Sequence, residues 1–213
     1  MLTVLCVLRS GGPDYTPEYV RRLRDGVARN LTIEHRFVCL SDCDVPCERI
    51  PLIHDWPGWW AKIECFRPDV ITGPTLYLDL DTLITGPLDP VMEIRDRFSM
   101  LCIRAKELKI GNSGAMWFRD PQTHVYERFV ENPEYWIDYH IKNAHNRYMG
   151  DQAFISDCFT DIPKLHHALP DFFKSYKYDV CQMKVPPGCS VVCFGGHPRP
   201  HEVRGGWVER TWV

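Results

Sequence analysis

Apolar and polar positions along the chain change period several times, and each change marks an element. Met1-Leu-Thr-Val-Leu-Cys-Val-Leu8 is apolar almost without a break, the pattern of a strand buried on both faces. It meets Arg9 with no basic leader and no small-residue cleavage site, so residues 3–8 read as a first strand and not as a secretory signal. Ser10-Gly-Gly-Pro13 turns the chain, and Thr16-Pro17 supplies a hydroxyl cap with proline at the first helical position. A helix is predicted from there to about Asn30. Arg36-Phe-Val-Cys-Leu40 is a second apolar run, closed by Ser41-Asp42. Strand, helix and strand in this order predict parallel strands joined by a right-handed crossover.

A short helix is expected around Trp59–Phe66, stopping at Pro68. Leu101–Arg104 and Gly114–Phe118 read as strands, and Gln122–Glu131 and Asp151–Cys158 as helices. After about residue 160 the pattern is irregular and rich in Pro, His and aromatics. The fold class expected is α/β: one domain with a Rossmann-like, mostly parallel central sheet flanked by helices and a loop-rich C-terminal part. Ser10-Gly-Gly-Pro13 lacks the G-x-G-x-x-G spacing, so a dinucleotide fold is not expected.

The clearest strand expected is Thr75–Asp81, and it opens the most regular alternation, Thr75-Leu-Tyr-Leu-Asp-Leu-Asp-Thr-Leu83. Leu76, Leu78 and Leu80 face one way, and Tyr77, Asp79 and Asp81 the other. Two carboxylates that close repel each other unless a cation lies between them. Their hard oxygens suit Mn2+ or Mg2+, ions that commonly also hold substrate phosphates. Open α/β sheets bind ligands beyond the carboxyl ends of their strands, where this pair should sit. The plainer alternative is an edge strand with a wet polar face, or aspartates that simply end the strand. The triplet alone leaves both open.

Composition narrows the classes. With 45% hydrophobic and 25% charged residues the chain resembles ordinary folded domains. Its formal charge of −3 gives no general attraction to nucleic acid or anionic membrane. No stretch approaches the roughly 18 apolar residues of a membrane span. Of the ten cysteines, Cys6, Cys39, Cys65, Cys102 and Cys193 lie in apolar runs, where a thiol packs as a small hydrophobe. Cys43 and Cys47 have no second pair at zinc-finger spacing. Free thiols and a cytoplasmic location are expected.

Five segments together resemble one family. Tyr77-Leu-Asp-Leu-Asp-Thr-Leu-Ile84 is similar to the D-x-D segment of GT-A glycosyltransferases, in particular the retaining enzymes that include glycogenin and the lipopolysaccharide galactosyltransferases. Lys62, in Trp59-Trp-Ala-Lys-Ile-Glu-Cys-Phe66, stands where that family has a basic residue on the preceding helix. Asn112-Ser-Gly-Ala-Met116 resembles its Asn-Ala-Gly segment, and Gly150-Asp-Gln-Ala153 its Asp-Gln pair. Val192-Cys-Phe-Gly-Gly-His-Pro-Arg-Pro200 resembles its terminal H-F-x-G-x-x-K-P motif. One departure stands out: Cys193 takes the place of the histidine that ligates metal in the family, leaving His197 and His201 nearby. A thiolate is too soft for Mn2+ or Mg2+, so His197 is the expected third ligand, with His201, Cys193 or water as alternatives.

The resemblance implies a nucleotide-binding part over about residues 1–85 and a sugar and acceptor part over 86–213. It implies transfer of a hexose from a nucleotide sugar, with UDP-glucose or UDP-galactose as donor, to an unidentified acceptor, with retention. Asp79, Asp81 and His197 would hold Mn2+ or Mg2+. Asp151, Gln152 and Lys62 would act at the sugar. Leu8, Arg9, Ser10, Asp42, Leu80, Asn112, Ser113, Gly114, Gly196 and Arg199 would bind the donor. Plainer readings are an exposed Lys62 and an Asp151 that merely caps its helix. Trp56, Trp59 and Trp60 could stack on a sugar or fill the core. Two further functions remain open: a metal-dependent nucleotidyltransferase or phosphohydrolase, and an inactive module that binds nucleotide sugar. A nucleic-acid acceptor is disfavoured by charge but open.

Overall fold

The computed structural model describes residues 1–102, 111–144, 149–180 and 184–213, and the apolar runs read above lie at its centre. In chain order the elements used below are β1 Leu2–Leu8, α1 Pro17–Asn30, β2 His35–Ser41, β3 Glu48–Pro51, a 3-10 helix Gly58–Phe66, β4 Thr75–Leu78, β5 Thr82–Ile84, β6 Phe98–Leu101, β7 Asn112–Phe118, α2 Thr123–Glu131, α3 Pro133–Lys142, α4 Gly150–Asp157, β8 Phe173–Ser175 and β9 Val191–Cys193. Six strands form one sheet in the order β3-β2-β1-β4-β7-β6, and β5-β9-β8 form a second, smaller one. Strands β3, β2, β1 and β4 run parallel, and β7 runs antiparallel to both β4 and β6.

Helices cover both faces of the large sheet, which explains the unbroken apolar runs. Val4, Cys6, Leu76 and Leu78 pack with Val20, Leu23 and Val27 of α1 in one core. Leu5 and Tyr77 point into the other, against Ile63 of the 3-10 helix, Phe129 of α2 and Phe154 of α4. The leucine and tyrosine alternation in β4 therefore faces two cores and not a core and solvent. This rules out the edge-strand alternative: β4 is central, between β1 and β7.

Several boundaries differ from expectation. Strand β4 ends at Leu78, not Asp81, because the chain turns through Asp79–Asp81 into β5 of the other sheet. Thr16 precedes α1, but its hydroxyl makes no capping bond. The strand expected at Leu101–Arg104 is β6, ending at Leu101; residues 103 and 104 lie outside the described residues. The nine described cysteines are free thiols, Cys181 lying outside. Among the described residues no helix is long and apolar enough to cross a membrane.

Candidate active site

A cleft of about 940 Å³ opens at the carboxyl ends of β1 and β4, within the size range of small-molecule sites. Strand β1 delivers Leu8 and, just beyond it, Arg9 and Ser10. The turn after β4 delivers Asp79, Leu80 and Asp81. The start of β7 delivers Asn112, Ser113 and Gly114, α4 delivers Asp151 and Gln152, and the segment after β9 delivers Gly196 and Arg199. Lys62 reaches in from the 3-10 helix.

Asp79 continues the β4–β7 ladder by donating its N–H to the Gly114 carbonyl at 2.9 Å. Its Oδ1 accepts from the Tyr77 hydroxyl at 2.7 Å and pairs with Lys62 Nζ at 2.9 Å. Lys62 is only 7% exposed, so it is not a solvated helix residue. Its Nζ also meets Asp151 Oδ2 at 3.1 Å and Ser113 Oγ at 3.0 Å. Burial alone would lower the Lys62 pKa, but the charges of Asp151 and Asp79 outweigh it and raise the value above normal. The ammonium is thus fixed between two carboxylates.

Asp81 is buried. Its Oδ2 accepts from Arg199 at 2.6 Å and from the Tyr15 hydroxyl at 3.1 Å. Burial first, and the charge of Asp79 second, raise the Asp81 pKa, with Arg199 opposing. Burial and the same two aspartates push the Tyr15 phenol up as well. No described residue donates to Oδ2 of Asp79 or to Oδ1 of Asp81, so each carboxylate keeps one oxygen for a ligand. Two hard oxygens with room for water and phosphate fit Mn2+ or Mg2+, which usually retain several waters.

Among the described residues no third protein ligand is brought to the pair. His197 is 65% exposed on its side chain and pairs with Glu202 at 2.9 Å, and it does not line the cleft. Gly195 and Gly196 carry the chain past the carboxylates with positive φ, which places the imidazole outside. His201 meets the Tyr19 hydroxyl instead. Cys193 does line the cleft, yet burial and then Asp81 raise its pKa, so it stands there as a neutral thiol. Among the described residues no group of three or more acidic, His or Cys side chains could hold a metal.

Asp42 also stands outside the cleft. Its carboxylate accepts from the Ser10 N–H and hydroxyl, both at 2.7 Å, and from Arg9. It fixes the turn after β1, where Arg9 and Ser10 line the cleft. Asp151 lies within the first turn of α4, whose cap is Met149. Its Oδ2 meets Ser113 at 2.6 Å and Lys62, and not the helix. Gln152 Oε1 accepts from Asn112 Nδ2 at 2.9 Å, joining two expected sugar-site residues across α4 and β7. Gly114 permits this wall: a Cβ there would lie 2.8 Å from Asn112 Oδ1.

Sequence reading missed Tyr15 as a contact of Asp81, Lys177, whose Nζ donates to the Gly195 carbonyl at 2.8 Å, and Met149. Tyr15 follows the turn beyond β1, a position that could have marked it. No periodicity marks Lys177, which sits in a single π-helical turn.

No family model and no curated protein matches the chain. Among solved structures it is similar to the glycosyltransferase GlyE of Streptococcus pneumoniae TIGR4, with a TM-score of 0.73 and 14% identity over 100% of this chain and 60% of that one. It is also similar to an active-site mutant of LgtC, with a TM-score of 0.64 and 14% identity over 98% of this chain and 93% of that one. The galactosyltransferase LgtC in complex with donor and acceptor sugar analogs matches with a TM-score of 0.60 and 12% identity, over 93% and 88% of the two chains. This chain spans about three-fifths of the GlyE length. Identities this low speak for fold alone. The α/β architecture expected from the sequence is present, and the chain shares the fold of these glycosyltransferase structures.

Proposed function

We propose that this chain transfers a hexose from a nucleotide sugar to an acceptor hydroxyl, with UDP as the nucleotide and with retention. The observation that carries the reading is the free oxygen on each of Asp79 and Asp81, set beside a wall of Asn112, Asp151 and Gln152. Phosphoryl chemistry needs the carboxylate pair but not that wall. Asp79 and Asp81 would hold Mn2+ or Mg2+, which when bound would supply Lewis-acid neutralisation of a departing diphosphate.

The remaining work falls to the chain's own groups. Arg199, held near Asp81 and Asp14, offers a planar guanidinium to a phosphate. Arg9 and Ser10 bind the nucleoside beyond β1. Asp151 and Gln152 hold sugar hydroxyls and stabilise positive charge at the anomeric carbon, as carboxylates do in glycoside hydrolysis. The bond from that carbon to the diphosphate oxygen breaks as the acceptor oxygen bonds on the same face. The acceptor proton passes to the departing phosphate oxygen. Lys62, paired with both, holds Asp79 and Asp151 in place.

The test is mass-spectrometric detection of UDP released from UDP-glucose and UDP-galactose with Mn2+. Asp79→Asn and Asp81→Asn should each abolish release while the circular dichroism spectrum stays native. Release that survives both substitutions and excess EDTA would overturn the reading.

A further inference from the structure

Three tryptophans lie close together at positions 56, 59 and 60, and the structure separates their roles. Trp56 stacks on His54 and packs edge-on against Phe129, while Trp60 is buried against Phe129 and Phe154. Both are core. Trp59 is 52% exposed and lines the cleft. An indole left half in water forgoes the large burial that aromatic side chains otherwise contribute, so its placement asks for a ligand.

That placement is built. Trp59 and Lys62 are three residues apart on the 3-10 helix, where side chains at that spacing project in line. Lys62 ends at the floor between Asp79 and Asp151, and Trp59 stands one turn outward, about 6 Å along the helix axis. The loop entering this helix is anchored by Glu64, whose carboxylate accepts the N–H groups of Ile53 and His54, each at 2.9 Å. On the other side the indole lies against the start of α4. Gly150 has a positive φ there, and a Cβ on it would come 2.5 Å from Trp59 Nε1. Glycine therefore makes room for the ring directly beside Asp151 and Gln152.

We propose that Trp59 is the platform for the acceptor, and that the acceptor presents a pyranose ring to it. This inference rests on the sugar-transfer reading above. One turn of helix is about the width of one sugar ring, so a donor hexose at the Lys62 level leaves the next ring at the level of the indole. A pyranose offers a face of C–H groups that matches an exposed aromatic plane, while its edge hydroxyls stay free for polar partners. Pro57 and Met149 border the same part of the cleft and add apolar contact without competing hydrogen bonds.

The experiment is saturation-transfer NMR on the full chain with lactose, maltose and N-acetyllactosamine as probes, with UDP and Mn2+ present. Transfer to the protons on one face of one ring is expected. Trp59→Ala should weaken saccharide binding roughly tenfold, and Trp59→Phe should keep most of it. The Kd for UDP, measured by calorimetry, should change by a smaller factor than the saccharide Kd. No transfer to any probe, equal transfer in wild type and Trp59→Ala, or equal losses of saccharide and UDP affinity would overturn the platform. Saccharide binding that depends on Trp59 in a chain that never releases UDP from a UDP-sugar would uphold it and sink the transferase reading instead.

Discussion

Lys62→Met removes one ammonium from a site where two carboxylates share it, and keeps a straight side chain of similar volume. No cavity follows, so the loss reports electrostatics. Lys62 Nζ stands 2.9 Å from Asp79 and 3.1 Å from Asp151. Removing one partner from a buried pair costs about 3–5 kcal/mol. Asp79 is partly open to solvent, so the lower end, about 3 kcal/mol, is expected. For a domain of this size that lowers Tm by roughly 6–12 °C. The pH dependence gives a second signature. In the wild type the folded Lys62 pKa lies above its ordinary value of 10.5. Its contribution is then full below that value and is lost only as pH rises through the higher folded one, so it is constant between pH 5 and 8. The Tm gap between wild type and variant should therefore hold steady across that window. Thermal unfolding in EDTA from pH 5 to 8 measures both effects. A Tm loss below about 2 °C, or a gap that closes within the window, would refute the bridging role.

Asp81→Asn should stabilise the chain while removing the negative charge that would hold a cation. The folded Asp81 pKa is raised from 3.8, so wild-type stability falls as pH climbs from there through the raised value. The Tm advantage of the variant should grow over that window and then level; a constant or reversed gap counts against it. His197→Ala should change the UDP Kd in Mn2+ by less than about threefold, since the imidazole is engaged with Glu202. A tenfold loss by calorimetry would restore His197 as a ligand. Gly150→Ala combines a positive φ with a Cβ 2.5 Å from the Trp59 indole. It should cost about 1–3 kcal/mol in denaturant unfolding and shift the tryptophan emission; an unchanged spectrum would mean that the ring does not rest there.

Legibility in the sequence followed the length and regularity of each element. Helix α1 begins and ends where Thr16-Pro17 and Asn30 predicted, because the signals that start and stop a helix are local. Strands β5, β8 and β9 are three residues each, too short for a period, and they form only because they pair with one another. The same limit explains His197. Its closeness in sequence to Cys193 suggested closeness to the carboxylates, but β9 ends at Cys193 and two glycines redirect the chain. Of the residues expected in the site, Asp42 and His197 stand outside the cleft; both follow a strand end, where direction depends on turn geometry. Lys62 could not be told from a surface lysine by residue type, since its burial depends on β7 and α4 closing over it.

Charge balance ties the site together. Lys62 and Arg199 are ion-paired with Asp14, Asp79, Asp81 and Asp151, so the cluster has two more acids than bases. Part of this excess is screened, but Asp81 is 2% exposed, and burial first, with the Asp79 charge second, raises its pKa. The lining as a whole also carries Arg9 and Lys177, which balance its acids, but a diphosphate brought alone beside Asp79 and Asp81 would still meet their like charge in a partly desolvated site, where repulsion is poorly screened. A divalent cation on the free oxygens of Asp79 and Asp81 would cancel the excess. On the proposed reading, metal and nucleotide must therefore bind with strong positive coupling. The affinity for UDP measured in EDTA should fall well below that in Mn2+, by a factor that shrinks in Asp81→Asn. Equal UDP affinities with and without the ion would mean that the excess charge is balanced some other way, and that the carboxylate pair is not an ion site.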